Sequence, residues 1–135
     1  MAARHTRQIL LVDSDEFMLD LLKFTLKDTG CRLLAATDGQ QAMQVVQQHR
    51  PDLIITELVL PVMDGLQLLR WLHDEYPSGP PVMVLTALDR PGIHDEVTAL
   101  GFDAPVFKPV GRSNLLRRVR KLLRIKAPAS AAAAG

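Results

Sequence analysis

Short apolar runs alternate with amphipathic stretches along this chain, and each run stops at a polar or charged residue. Residues 8–12 (QILLV) form the first run, with the pattern of a strand buried on both faces, and lead into Asp13-Ser14-Asp15-Glu16. Residues 15–28 carry Met18, Leu21, Leu22, Thr25 and Leu26 at helical spacing, with acids at the start and Gly30 as a stop; this predicts a first helix with that stripe inward. Residues 31–36 read as a second strand. Asp38 is placed to cap a helix running through His49, with Ala42, Val45 and Val46 inward and Pro51 as a breaker. Residues 53–56 make a third apolar strand, and Pro61 and Gly65 punctuate the turn before a third helix whose Leu68, Leu69 and Leu72 face inward. Tyr76-Pro-Ser-Gly-Pro-Pro81 admits neither helix nor central strand, and residues 82–85 follow as a fourth buried strand ending at Thr86-Ala87. Ile93, Val97 and Leu100 mark a short fourth helix closed by Gly101, and residues 104–107 a weak fifth strand ending at Lys108-Pro109. Ser113 is expected to cap a last helix with Leu115, Val119, Leu122 and Leu123 on one face.

The pattern amounts to five βα units. Parallel returns require right-handed crossovers, so helices must cover both faces of a parallel sheet. The expected fold is α/β, a doubly wound five-stranded parallel sheet in a (βα)5 three-layer sandwich. Ligands bind such sheets beyond the carboxyl ends of the strands. Asp13, Ser14, Glu57, Thr86 and Lys108 all fall at those ends and nominate one site.

Composition narrows the class. The 135 residues suit one domain, expected over residues 1–126, and the Ala-rich stretch 127–135 reads as a disordered tail or the stub of a linker. Sixteen Lys and Arg against fifteen Asp and Glu leave a net charge of +1, without the field of a dedicated nucleic-acid or polybasic membrane binder. The last helix carries Arg112, Arg117, Arg118, Arg120, Lys121 and Arg124 off its apolar face, but no aromatic residues interleave with them. A solvated face is therefore expected, and nucleic-acid binding is not. Cys31 is the only cysteine, which excludes an internal disulfide and a cysteine-based zinc cluster and fits a small core residue. No apolar run approaches the ~18 residues of a membrane span, and no signal peptide is visible, so a cytoplasmic protein without membrane contact is expected.

The strand-end residues suggest a chemistry. Acids hold Mg²⁺, an ammonium such as Lys108 grips a phosphate oxygen, and a hydroxyl such as Thr86 donates to another. The same set equally makes a structural ion pair of Lys108 with Asp13 or Glu57, and spacing alone leaves both readings open.

The order of residues is more specific. Ile9-Leu-Leu-Val-Asp13, Asp38-Gly39, the stretch 51–65 (PDLIITELVLPVMDG), Val82-Met-Val-Leu-Thr-Ala87, Gly101 and Val106-Phe-Lys-Pro109 together resemble the receiver domain of two-component response regulators, the CheY-like family, over residues 8–124. The resemblance implies the flavodoxin/CheY-like form of the sandwich. It also implies a switch in which an Asp ending the third strand accepts a phosphoryl group from a sensor histidine kinase, assisted by Mg²⁺ on the acids after the first strand. Carried over residue by residue, it puts the phosphoacceptor on Glu57, the acid pair on Asp13 and Ser14, the Ser/Thr switch on Thr86 and the lysine on Lys108. The aromatic switch falls on Pro105, and Lys108-Pro109 matches a cis-proline junction. The extra methylene of Glu57 moves its carboxylate by about 1.5 Å, and a misplacement near 1 Å costs on the order of 10²-fold in a transfer that depends on alignment. Ser14 removes a carboxylate that a hard cation needs, and Pro105 has no ring to swing. Acceptor, metal ligand and relay depart together, as in a degenerate receiver, or pseudo-receiver.

The expected function is accordingly a receiver that has lost ordinary phosphotransfer and acts as a phosphorylation-independent interaction module, not an enzyme. No cofactor is expected; a weakened Mg²⁺ site would rest on Asp13 and Glu57. By the resemblance, the fourth helix, fifth strand and fifth helix form the interaction face, with Ile93, Val97, Leu100, Pro105, Leu116 and Arg120. Its partner would be a signalling protein such as a histidine kinase or an output protein, or a second copy in a homodimer. Glu57 has two readings: a built-in phosphate mimic directed at Thr86 and Lys108, or a structural ion pair with no state to switch. Two further classes stand beside these, a working phosphoacceptor with a weakened Mg²⁺ site and, more remotely, a small phosphohydrolase lacking a second acid as nucleophile or base.

Overall fold

The structure is a computed structural model that describes residues 6–126; the tail expected at 127–135 lies outside the described residues. Strands β1 (Gln8–Val12), β2 (Arg32–Ala36), β3 (Leu53–Thr56), β4 (Val82–Thr86) and β5 (Val106–Phe107) form one parallel sheet in the order β2-β1-β3-β4-β5. Between and after them run α1 (Glu16–Leu26), α2 (Gly39–His49), α3 (Gly65–Glu75), α4 (Ile93–Ala99) and α5 (Arg112–Leu123), with a 3₁₀ turn at Lys27–Thr29 behind α1. This is the doubly wound (βα)5 sandwich that the periodicity predicts. No helix among the described residues is long and apolar enough to cross a membrane.

Strand residues point alternately to opposite faces, and the core divides accordingly. Leu10, Val12, Ile54 and Val84 pack with Ala42, Val46, Leu68, Leu72 and Val97, under α2, α3 and α4. Ile9, Leu11, Ile55, Met83 and Leu85 pack with Leu19, Leu22, Leu26, Leu115 and Val119, under α1 and α5. Both faces of β1, β3 and β4 are therefore dry, which explains their unbroken apolar runs.

Several expectations need correction. On α1 the inner stripe is Leu19, Leu22, Thr25 and Leu26, whereas Leu21 is 47% exposed and Met18 only partly buried. Both stripes have helical spacing, so periodicity alone does not choose between them. β5 is shorter than 104–107 and holds only Val106–Phe107, because Pro105 has no N–H to extend the ladder. Gly111, without a side-chain cap, begins α5, and Ser113 lies inside the helix. Ile93, Val97 and Leu116, expected on an exposed interaction face, are 2%, 0% and 8% exposed. They are the inner stripes of α4 and α5. Pro105 is buried as well, and Leu100 and Arg120 are half-buried.

Candidate functional site

The chain steps from β1 outward to β2 and then crosses back to β3, so the carboxyl ends of β1 and β3 flank a topological switch point. Val12 is in register with Thr56, and Glu57 N donates to Val12 O at 2.9 Å, so Asp13 and Glu57 leave the sheet side by side. Thr86 ends β4, and Lys108 N donates to Thr86 O at 2.9 Å, which brings the lysine to the same edge. Residues distant in sequence meet because parallel register aligns their strand ends.

The carboxylate of Glu57 is the centre of this cluster and is buried. Its Oε2 accepts from Leu58 N at 2.6 Å, from Val59 N at 3.3 Å and from the Thr86 hydroxyl. Its Oε1 accepts from Ala87 N at 3.1 Å and from Lys108 Nζ at 2.9 Å. The Thr86 hydroxyl in turn accepts from Leu88 N at 2.9 Å, which orients its proton toward Glu57. Lys108 also donates to Asp13 Oδ2 at 2.6 Å, while Asp13 Oδ1 accepts from Asp15 N at 2.9 Å. Two carboxylates thus share one ammonium, and each carboxylate oxygen in the cluster already has a donor.

These contacts set the charge states. Burial works against the Glu57 carboxylate, but the hydrogen bonds from Thr86, Lys108, Ala87 and Leu58 outweigh it and hold its pKa below the ordinary 4.5. Burial likewise opposes the Lys108 ammonium, and the hydrogen bonds to Asp13 and Glu57 overcome it, raising its pKa above the ordinary 10.5. The ionised pair is the resting state at neutral pH.

The loop between β3 and α3 is held against the sheet. Gly65 N donates to Leu58 O at 2.9 Å, and a Cβ on Gly65 would lie 2.5 Å from both Glu57 O and Leu58 Cα. Asp64 caps α3 in a capping box with Gln67, which fixes where the loop ends. Within the loop Met63 N donates to Pro61 O at 2.7 Å across Val62, whose φ is 67°. This is a γ-turn in its strained form, at a β-branched residue.

The response regulator receiver domain family matches this chain over residues 9–120. The chain belongs to that family. Among similar curated proteins are the response regulator GtcR of Aneurinibacillus migulanus, 34% identical over 88% of this chain and 48% of that protein, and the alkaline phosphatase synthesis transcriptional regulatory protein PhoP of Bacillus subtilis (strain 168), 33% identical over 92% of this chain and 52% of that one. The chain spans about half the length of these relatives. Among solved structures, the receiver domain of an HD domain-containing protein from Pseudomonas fluorescens Pf-5 superposes with a TM-score of 0.82 at 32% identity, covering 89% of this chain and 96% of that one. The chemotaxis protein CheY4 of Vibrio cholerae superposes at 0.79 with 27% identity, covering 88% of this chain and all of its own. Receiver domains are signalling modules of two-component systems, working with histidine kinases and output domains.

Within this receiver, Asp13, Glu57, Thr86 and Lys108 come together as the strand ends require. Ser14 does not join them: it is exposed, and among the described residues no hydrogen bond ties its hydroxyl to the cluster. Asp15 is committed to capping α1, accepting from Phe17 N and Met18 N. The Lys108–Pro109 peptide bond is cis. At the aromatic-switch position Pro105 is buried, while Phe107, two residues on, is partly exposed. Sequence reasoning missed the amides of Leu58, Val59 and Ala87, which supply three of the donors to Glu57. The only signal for them was adjacency to Glu57 and Thr86.

Proposed function

We propose that this chain is a pseudo-receiver, a cytoplasmic signalling module that meets its partners in a single, phosphate-independent state. The carrying observation is the saturation of Glu57. The Thr86 hydroxyl, the Lys108 ammonium and the amides of Leu58, Val59 and Ala87 converge on its carboxylate. A phosphoryl group on the acceptor of a working receiver needs donors of this kind. Here the side chain at the acceptor position already engages them. Glu57 is then a built-in anion, weaker than a phosphoryl group, which would bring about −1.5 to −2 of charge.

The donor set argues in the same direction about Mg²⁺. A hard cation is held by the negative charge of its carboxylates, but the Lys108 ammonium already pairs with both Asp13 and Glu57, and a neutral hydroxyl stands at Ser14. These residues do not fit a strong Mg²⁺ site, and no step of the function is routed through one. Partner recognition is assigned to the outward side of α4, β5 and α5, where His94, Asp95, Phe107, Arg117 and Lys121 are exposed. That surface suits a signalling protein bearing both charged and aromatic-binding contacts.

Intact mass after incubation with Mg²⁺ and acetyl phosphate tests the reading, with Glu57→Ala alongside. The expected result is no mass change in either protein. A gain of one phosphoryl group that disappears in Glu57→Ala would overturn it and make the chain a working phosphoacceptor.

A further inference from the structure

Helix α1 is apolar on two sides. Leu19, Leu22 and Leu26 pack beneath the sheet, yet Phe17, Leu21 and Phe24 are 76%, 47% and 61% exposed. Their i, i+4, i+7 spacing places them in one outward row on a helix of 11 residues, about 16 Å long. The other long helices are different: α2 shows glutamines to solvent, α3 Gln67, Arg70 and Asp74, and α5 Arg117, Arg118 and Lys121. The row on α1 borders a cleft of about 150 Å³ lined by Met18, Leu21, Pro109 and Val110, so the apolar surface continues toward the loop that enters α5. Lys27 Nζ lies 4.2 Å from the centroid of the Phe24 ring and covers part of it, but among the described residues no aromatic or cation contact covers Phe17, and both rings remain largely exposed.

The charges beside the row indicate what covers it. Glu16 and Asp20 occupy the first half of α1, Lys23 and Lys27 the second half and the turn behind it, and all four are exposed. A second α1 laid antiparallel sets each acidic half against the other copy's basic half. All four charges lie on one flank of the row, and a parallel arrangement would set that flank against the other copy's uncharged flank and pair none of them. Twofold symmetry uses one patch twice, and this patch is complementary to itself in that orientation alone.

We propose that two copies of this chain associate through α1, packed antiparallel about a twofold axis near Leu21, with Phe17 of one copy beside Phe24 of the other. This contact uses α1 and not the outward side of α4, β5 and α5, and it does not depend on the reading of Glu57. One short helix buries less than the ~1,200 Å² of a standard interface, so the dimer is weak and forms at high concentration.

Sedimentation equilibrium of the 135-residue chain over roughly 10 to 500 μM tests this, with mass rising from 14.9 kDa toward twice that value, less so at high salt. Leu21→Glu is expected to weaken association at least about tenfold by placing two acids at the axis. Glu16→Lys with Asp20→Lys makes the flank wholly basic, and Lys23→Glu with Lys27→Glu makes it wholly acidic; each is expected to be monomeric alone, and an equimolar mixture to dimerise. Should the basic variant fray at its helix start, Asp20→Lys mixed with Lys23→Glu poses the same question, and circular dichroism reports whether each variant is folded. A wild-type mass constant at 14.9 kDa overturns the proposal and leaves the row to a different protein. A dimer that survives Leu21→Glu overturns the use of α1, and a mixture that stays monomeric overturns the charge pairing along its flank.

Discussion

Lys108 Nζ stands 2.6 Å from Asp13 Oδ2, although the two residues follow β5 and β1, strands that do not touch. The same ammonium reaches Glu57 Oε1 at 2.9 Å, so one cation compensates two buried carboxylates. Lys108→Met leaves those carboxylates facing each other. Removing one partner of a buried ion pair costs about 3–5 kcal/mol, and a loss of this size is expected near neutral pH in urea titrations. With its cation gone, Glu57 feels burial and a neighbouring like charge, both of which raise its pKa. The deficit of the variant should therefore shrink as pH falls toward 5, when one carboxylate takes up a proton.

Acid should weaken the native protein through Glu57. Its native pKa lies below 4.5, so the unfolded chain binds a proton there first. The stability it contributes is complete above 4.5 and is lost as pH falls through the lower native value. Lys108 is the mirror case: its contribution is complete below 10.5 and lost as pH rises through a native value above that. Urea midpoints at roughly pH 3.5 and 6 should differ less for Glu57→Gln than for the wild type. Equal differences would remove Glu57 from the acid limb.

Restoring the acids tests the pocket itself. Glu57→Asp shortens the acceptor by one methylene and frees its donors, and Ser14→Asp returns a second carboxylate beside Asp13. The double variant is expected to gain one phosphoryl group from acetyl phosphate with Mg²⁺, a gain the wild type does not show. Intact mass reads it directly. If the double variant stays unlabelled, features beyond these two positions block the transfer.

Gly65→Ala probes the loop that aims Glu57. The new Cβ would lie 2.5 Å from Glu57 O and from Leu58 Cα, both backbone atoms unable to swing away. Overpacking of this kind costs about 1–3 kcal/mol, and the urea midpoint should fall by the corresponding amount.

Val62→Gly should act in the opposite sense. Val62 holds φ at 67° in an exposed γ-turn, where a β-branched side chain is strained and glycine is not. Part of the relief is offset by the greater freedom of an unfolded glycine. A net gain of about 1 kcal/mol is expected, seen as a higher urea midpoint with an unchanged slope.

The sequence by itself determined the five βα units, the helix cap at Asp38, and the line of Asp13, Glu57, Thr86 and Lys108 at the strand ends. These are local properties: side-chain period, turn residues and the polar residue that stops each apolar run. Tertiary structure alone decided which of two equally periodic stripes on α1 turned inward, and that Leu116 belongs to the core, because burial depends on the surface a helix meets. It also decided how Glu57 is satisfied. Thr86 and Lys108 lie 29 and 51 positions away from it and arrive through sheet order, while every residue except proline has an amide, so nothing in the side chains of Leu58, Val59 or Ala87 marks them as donors.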